Sequence, residues 1–343
     1  MTSSPGAPAG GLLPVDLRCE YLVEPLGVEA ASPRLSWALC SERRGQRQTA
    51  WQVLVAGSAE ALAEGRGELW DSGKVESDRS VHVPYAGRRL RSRQRCFWKV
   101  RAWDADGREG PWSAAASWEM GLLRQADWRG KWISGPAPSQ EQPQFRPSPV
   151  LRKVFPLGKP VRLARAYVCG LGYFELHVNG RRVGDHVLDP AFTRYDRRAL
   201  YVTHDVTGHL VRGRNALGVM LGTGQYDCHT QEVWHFATAA WRDRPKVILQ
   251  LHVEFEDGTA RTIVSDATWR ASTGPVVFDA LRNGEVYDAR LERPGWATAG
   301  FDDADWSPAV VVAGPGGELR SQQMPPIRVT GTIEPVAVTE PKA

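Results

Sequence analysis

The densest run of reactive side chains in this sequence is Asn283 to Arg290, NGEVYDAR. It places an amide (Asn283), two carboxylates (Glu285 and Asp288), a phenol (Tyr287) and a guanidinium (Arg290) on one short segment. Asn283-Gly284 is a tight-turn signal, because both residues tolerate positive φ, so the carboxylates fall on a turn and the strand leaving it. Such a set suits a polar ligand. It also permits a plainer role, in which Asp288 and Arg290 pair to pin a loop against a sheet. A third option is a stand-alone glycosidase with Glu285 and Asp288 as acid and base. Two features count against it. Residues three apart on a regular strand face opposite ways, and Arg290 and Arg293 would lower a carboxyl pKa where a general acid needs it raised. No residue is therefore assigned as catalytic, and Asn283, Glu285 and Asp288 are taken as ligand-binding candidates.

Other apparent motifs carry less. Gly222-Thr-Gly-Gln-Tyr-Asp227 is glycine-rich, but no helical pattern follows to hold a phosphate at its N-terminus. His229 and His235 lack the i, i+4 spacing of a helical zinc pair, and no serine nucleophile elbow is present. The basic run RRLRSRQR (residues 88–95) has no matching aromatic platform and the net charge is only +4, so nucleic acid is not an expected partner. Five widely spaced cysteines, Cys19, Cys40, Cys96, Cys169 and Cys228, suit buried free thiols better than a disulfide framework. With no signal-peptide pattern at the N-terminus and no run approaching about 20 apolar residues, the expectation is a cytoplasmic protein without a membrane partner. Fourteen tryptophans are the compositional outlier. Large aromatics fill sandwich cores and also stack on sugar rings.

The elements that must position these residues read as strands. At 343 residues the chain suggests two domains. After a disordered leader (residues 1–15), residues 16–120 hold short alternating segments such as Trp51-Gln-Val-Leu-Val55 and Cys96 to Trp103, with one helical turn near residues 59–67 and a hairpin closed by Asp104 to Gly107. That spacing predicts a small immunoglobulin or fibronectin type III sandwich. Residues 121–149, ending in GPAPSQEQPQFRPSP, lack periodicity and read as a linker. From Val150 the strand pattern resumes at higher density. Tyr173 to Val178 runs into Asn179-Gly180, the best hairpin turn in the chain, and only residues 206–211 could form a helix. Residues 150–335 are thus expected to form a second, larger sandwich, a jelly roll, with residues 336–343 as a tail. The fold class is all-β.

In order and spacing, the segments LWDSGKV, RCFWKVRAWDADGREGPWS, ADWRGKWI, FELHVNGRRVGDHVLDPAFTRYDRRALYVTHDVT, DATWRASTGPV, NGEVYDARLE and FDDADW resemble the N-terminal region of bacterial α-L-rhamnosidases. The resemblance spans residues 17–335 and implies a fibronectin-type module followed by a jelly-roll accessory domain with galactose-binding-like architecture. In that family these precede an (α/α) barrel that hydrolyses terminal rhamnose with inversion, using two carboxyls. No helical pattern of that size occurs here. The implied role is the carbohydrate-binding or scaffolding half of a rhamnosidase, with a rhamnose-containing glycan or glycoside and a separate catalytic barrel chain as partners. Some relatives hold rhamnose through calcium on this jelly roll. The corresponding acid is Asp196 in Thr193-Arg-Tyr-Asp196, which joins the sugar-binding candidates and is the one metal candidate. Its neighbour Arg197 offers no ligand oxygen, so no cofactor is required by this pattern and calcium remains an option. Asp243, between Arg242 and Arg244, is flanked by positive charge in the same way and suits a surface ion pair.

Overall fold

A computed structural model describes residues 11–137, 146–230 and 234–340. Contacts divide the chain into two compact units, Met1–Arg129 with Arg320–Gln323, and Gly130–Leu319 with Met324–Ala343. Both are β-sandwiches, the first immunoglobulin-like and the second a jelly roll.

The first unit contains β1 (Leu13–Cys19), β2 (Leu26–Val28), β3 (Arg34–Cys40), β4 (Ala50–Ala56), the one-turn helix α1 (Ala59–Ala63), β5 (Trp70–Asp71), β6 (Val75–Glu76), β7 (Val83–Pro84), β8 (Arg95–Trp103) and β9 (Ala116–Met120). One sheet has the order β1-β3-β7 and the other β2-β9-β8-β4-β5, with β6 added beside β4. Alternation sets which side faces inward: in β8 the residues Cys96, Trp98, Val100 and Ala102 are buried, while Phe97, Lys99 and Arg101 are half-buried. Ser58 caps α1, its Oγ accepting from the Ala61 N–H at 3.1 Å. Most aromatic rings of this unit are core material. Trp37, Trp51, Trp70, Tyr85 and Trp118 form a chain of edge-to-face contacts with centroids 5.8, 6.4, 5.5 and 5.9 Å apart, the geometry the ring quadrupoles favour.

Two boundaries differ from the sequence expectation. The leader assigned to residues 1–15 lies partly outside the described residues (1–10), but β1 begins at Leu13, which pairs with Cys40; Leu12 is already buried and anchors that start. The stretch 121–149, expected to be a linker, includes a 3-10 turn at Gln125–Asp127 and a strand, β10 (Ile133–Ser134), between neighbours in a sheet. Ile133 is fully buried there. A two-residue strand has too few side chains to show a period. Residues 138–145 of the stretch lie outside the described residues.

The second unit continues with β11 (Pro149–Leu157), β12 (Val161–Leu171), β13 (Tyr173–Val178), β14 (Arg181–Arg182), β15 (His186–Val187), β16 (Arg198–Asp205), β17 (Gly213–Gly222), β18 (Lys246–Phe255), β19 (Ala260–Val264), β20 (Arg270–Thr273), β21 (Val276–Ala280), β22 (Gly284–Tyr287), β23 (Ser307–Pro308), β24 (Val310–Val311), β25 (Glu318–Ser321) and β26 (Ile327–Arg328). The two main sheets have the orders β24-β10-β18-β12-β16-β25, with β19 beside β18, and β14-β13-β17-β11-β20-β23. Leu151, Val168, Leu176, Val219, Leu249 and Trp269 belong to one continuous apolar core in this unit. The segment 206–211 forms a single 3-10 turn, Thr207–His209, instead of a helix. The β13–β14 turn is made by Asn179 and Gly180, both left-handed at φ 51° and 81°, as its sequence predicts.

A buried cation fastens the segment after residue 295. Arg152, inaccessible to solvent, donates to the carbonyls of Trp296 (2.8 Å) and Thr298 (2.7 Å) and pairs with Asp303. Trp296 itself lies over Gly218, where any Cβ would come within 2.5 Å of the indole; glycine at this strand position lets the ring approach.

Candidate functional site

The NGEVYDAR segment folds as a hairpin. β21 and β22 pair only with each other, with Ala280 opposite Gly284 and Asp279 opposite Glu285. Gly284 supplies the positive φ (85°), while Asn283 does not adopt one; the Asn283 N–H donates to the Ala280 carbonyl at 3.1 Å. All four residues of β22 are exposed. Asp288 leaves the strand and caps the following 3-10 turn, accepting from the Arg290 N–H and pairing with the Arg290 guanidinium at 2.6 Å. Hydrogen bonds from Arg290 hold the Asp288 carboxyl below its ordinary pKa. This is the loop-pinning geometry, and it is the opposite of what a general acid needs.

Asp196 sits in the turn before β16. Both its oxygens accept from Arg194, at 2.9 and 3.1 Å, and those bonds, then the nearby Arg197 charge, lower its pKa. Among the described residues no hydrogen bond or ion pair joins Asp196 to Asn283, Glu285 or Asp288. Asp196 and Asp288 form two local ion-pair sites, each matched by a neighbouring arginine. Asp243 behaves alike, pairing with the buried Lys246.

The second unit also builds a polar and aromatic end that sequence reasoning missed. Asp227 is almost fully buried and accepts from Arg146 Nε and Nη2 at 3.1 and 2.8 Å, with Arg242 Nε at 3.4 Å. Asp279 of β21 accepts from Ser148 Oγ (3.0 Å) and from the N–H (2.7 Å) and Oγ1 (3.1 Å) of Thr223. Asp227 and Asp279 thus tie the residues flanking β11 and following β17 to the hairpin. Beside Asp196, Tyr195 packs edge-on against Tyr226, with centroids 5.1 Å apart, and against Phe192 at 5.7 Å. Phe192 meets Phe236 at 5.5 Å. Phe192 is 45% exposed, an apolar ring presented to solvent. The signal for this end was dispersed over residues 146 to 279, with no local spacing to expose it. A separate cavity of about 220 Å³, lined by Pro149, Arg244, Ser272, Thr273, Asp305 and others, includes none of the four candidate residues.

Chemically, this arrangement offers acceptors, donors and exposed rings, Phe192 and Tyr287 among them, a set suited to holding a polyol face, and the Asp288 carboxyl is held too low to serve as an acid. No helix of the described residues is long and apolar enough to cross a membrane.

Comparison with known proteins bears on what such an end serves. Residues 14–124 match the model described as "Rha78A-like, N-terminal immunoglobulin domain", and residues 159–331 match "Alpha-L-rhamnosidase N-terminal domain". An α-L-rhamnosidase of Formosa agariphila is 38% identical over 334 residues, covering 91% of this chain and 35% of that protein. One from Streptomyces avermitilis is 30% identical, covering 94% and 47%. Among solved structures, the α-L-rhamnosidase from Dictyoglumus thermophilum superposes with a TM-score of 0.87 at 38% identity, over 97% of this chain and 37% of that one. The Streptomyces avermitilis enzyme complexed with L-rhamnose gives 0.86 at 29% identity, over 93% and 47%. The chain therefore spans between about a third and a half of the relatives it matches. It belongs to the α-L-rhamnosidase N-terminal domain family.

Proposed function

We propose that this chain is the accessory, carbohydrate-binding and scaffolding part of an α-L-rhamnosidase, acting on terminal α-L-rhamnose of a glycan or glycoside together with a catalytic (α/α) barrel carried elsewhere. The observation that supports it best is the pattern of coverage: nearly all of this chain aligns with about a third of its relatives' length, and its described residues contain only one α-helix, of five residues. Inverting hydrolysis by the parent enzyme would need two carboxyls roughly 6.5 to 9.5 Å apart, one with a raised pKa. The lowered pKa of Asp288 favours the accessory reading over a stand-alone glycosidase using Glu285 and Asp288. The sugar would lie against the exposed Phe192 ring, with Asp196 close to it in sequence and Asn283, Glu285 and Asp288 as further candidates. The arginine pairs already matching Asp196 and Asp288 favour binding that requires no calcium. The buried thiols of Cys19, Cys96 and Cys169 support a reducing, cytoplasmic setting.

Calorimetry with L-rhamnose, with and without calcium, tests this. We expect weak binding, between millimolar and micromolar or about 4 to 8 kcal/mol, reduced in Phe192→Ala and indifferent to calcium. An aryl α-L-rhamnoside should not be turned over. Hydrolysis that vanishes in Glu285→Gln or Asp288→Asn would establish the glycosidase alternative, and a folded protein giving no heat with rhamnose would remove the binding role.

A further inference from the structure

Three side chains of the jelly-roll unit converge at residues the proposed sugar site does not use. His186 opens β15, Asp189 follows it in the loop, and His204 lies near the end of β16. One donor atom from each lies within 4.8 Å of the other two. His186 Nδ1 is 2.6 Å from Asp189 Oδ2, and the two imidazole centroids are 5.4 Å apart. The position of His204 is the unusual part. It is 7% exposed, and its Nε2 is closed off from solvent with no hydrogen-bond partner. Buried polar atoms without partners are rare and costly, and each calls for an explanation.

We propose that His186, Asp189 and His204 form a binding site for a divalent first-row transition ion, zinc being the best match. Two imidazoles and one carboxylate are borderline ligands that suit zinc, whereas calcium and magnesium favour all-oxygen sets. Three protein ligands leave a fourth position for water or another small donor. Metal–ligand lengths of about 2.0 to 2.2 Å put tetrahedral donor atoms roughly 3.3 to 3.5 Å apart. Reaching that geometry takes side-chain rotations that open the 2.6 Å His186–Asp189 contact and close any separation near the 4.8 Å limit.

Arg328 makes the proposal specific. It pairs across from His186 in β26, bonding Asp185 Oδ1 through Nε at 2.8 Å and approaching His186 Nε2 through Nη2 at 3.1 Å. A guanidinium only donates. His186 Nε2 therefore accepts, and its proton resides on Nδ1, directed at Asp189. A metal on Nδ1 replaces that proton, and the neutral ring must then carry its hydrogen on Nε2, facing a donor. Arg328 thus opposes metal binding. A glutamine at 328 can turn its amide oxygen to accept from Nε2–H, the outer support that metal-bound histidines ordinarily have.

The test uses the full chain without a polyhistidine tag. Zinc affinity is measured by competition with a chromophoric chelator, and cobalt(II) substitution is followed by its visible absorption. We expect one equivalent bound with a four-coordinate cobalt spectrum. Affinity should fall tenfold or more in His204→Phe and in Asp189→Asn, and rise several-fold in Arg328→Gln. Asp189→Asn preserves shape and serves if His204→Phe fails to fold. Absence of a bound equivalent in the folded protein, or binding that both ligand variants leave intact, overturns the site.

Discussion

Arg152 shows how much one side chain can hold in place. It is fully buried and satisfies two carbonyls and Asp303 on the 296–303 segment. Arg152→Met keeps most of the volume but orphans all three acceptors. Breaking a buried pair costs about 3 to 5 kcal/mol, and because the Asp303 side chain is 28% exposed we expect the low end, about 3 kcal/mol, by chemical denaturation. Asp127 offers a test in the other unit. Burial pushes its pKa up, but bonds from Arg124 and Ser92 outweigh that, so the net shift is downward. A carboxyl with a lowered folded pKa contributes stability that is complete above its unfolded value, about 3.9, and is lost as pH falls through the folded value. Denaturation of the native protein below pH 4 should therefore show a loss that Asp127→Asn lacks. Neither role was legible in the sequence. Arg152 and Asp303 lie 151 positions apart, and nothing in VLRKV marks its arginine as buried.

At the level of elements, legibility followed local backbone demand. Asn179-Gly180 was readable because both residues must enter the left-handed region and both types tolerate it. Asn283-Gly284 was readable as a turn, but only Gly284 takes positive φ, since a three-residue connection divides the bend differently. The two glycines make a matched pair of tests. Alanine in the left-handed region costs about 1 to 2 kcal/mol. At Gly284 nothing lies within 4 Å of a new Cβ, whereas at Gly180 the Cβ would stand 2.8 Å from Thr298 Cγ2. Gly180→Ala should accordingly destabilise more than Gly284→Ala in thermal unfolding. The candidate site was legible only in part. Glu285 and Asp288 share a segment, so their chemistry could be seen together; Asp227, Asp279, Arg146 and Phe192 meet only through sheet order. The cluster of His186, Asp189 and His204 was missed because β16 brings the last member back across a turn, which no residue spacing encodes.

For the whole molecule, the division into two units with separate apolar cores predicts that residues 1–129 expressed alone retain a cooperative unfolding transition, measured by near-ultraviolet circular dichroism; a gradual, non-cooperative loss of signal would refute independence. The all-β class was readable because alternation is a property of each strand by itself, while the exact boundary was not, because β10 is too short to carry a period. The edge-to-face row from Trp37 to Trp118 has a consequence in optics. Indoles held 5.8 and 6.4 Å apart at 67° and 68° are close enough for their excited states to mix, and the fixed angle gives that mixing a handedness. The immunoglobulin-like unit should therefore carry its own exciton couplet, a spectral signature that disappears when its core melts.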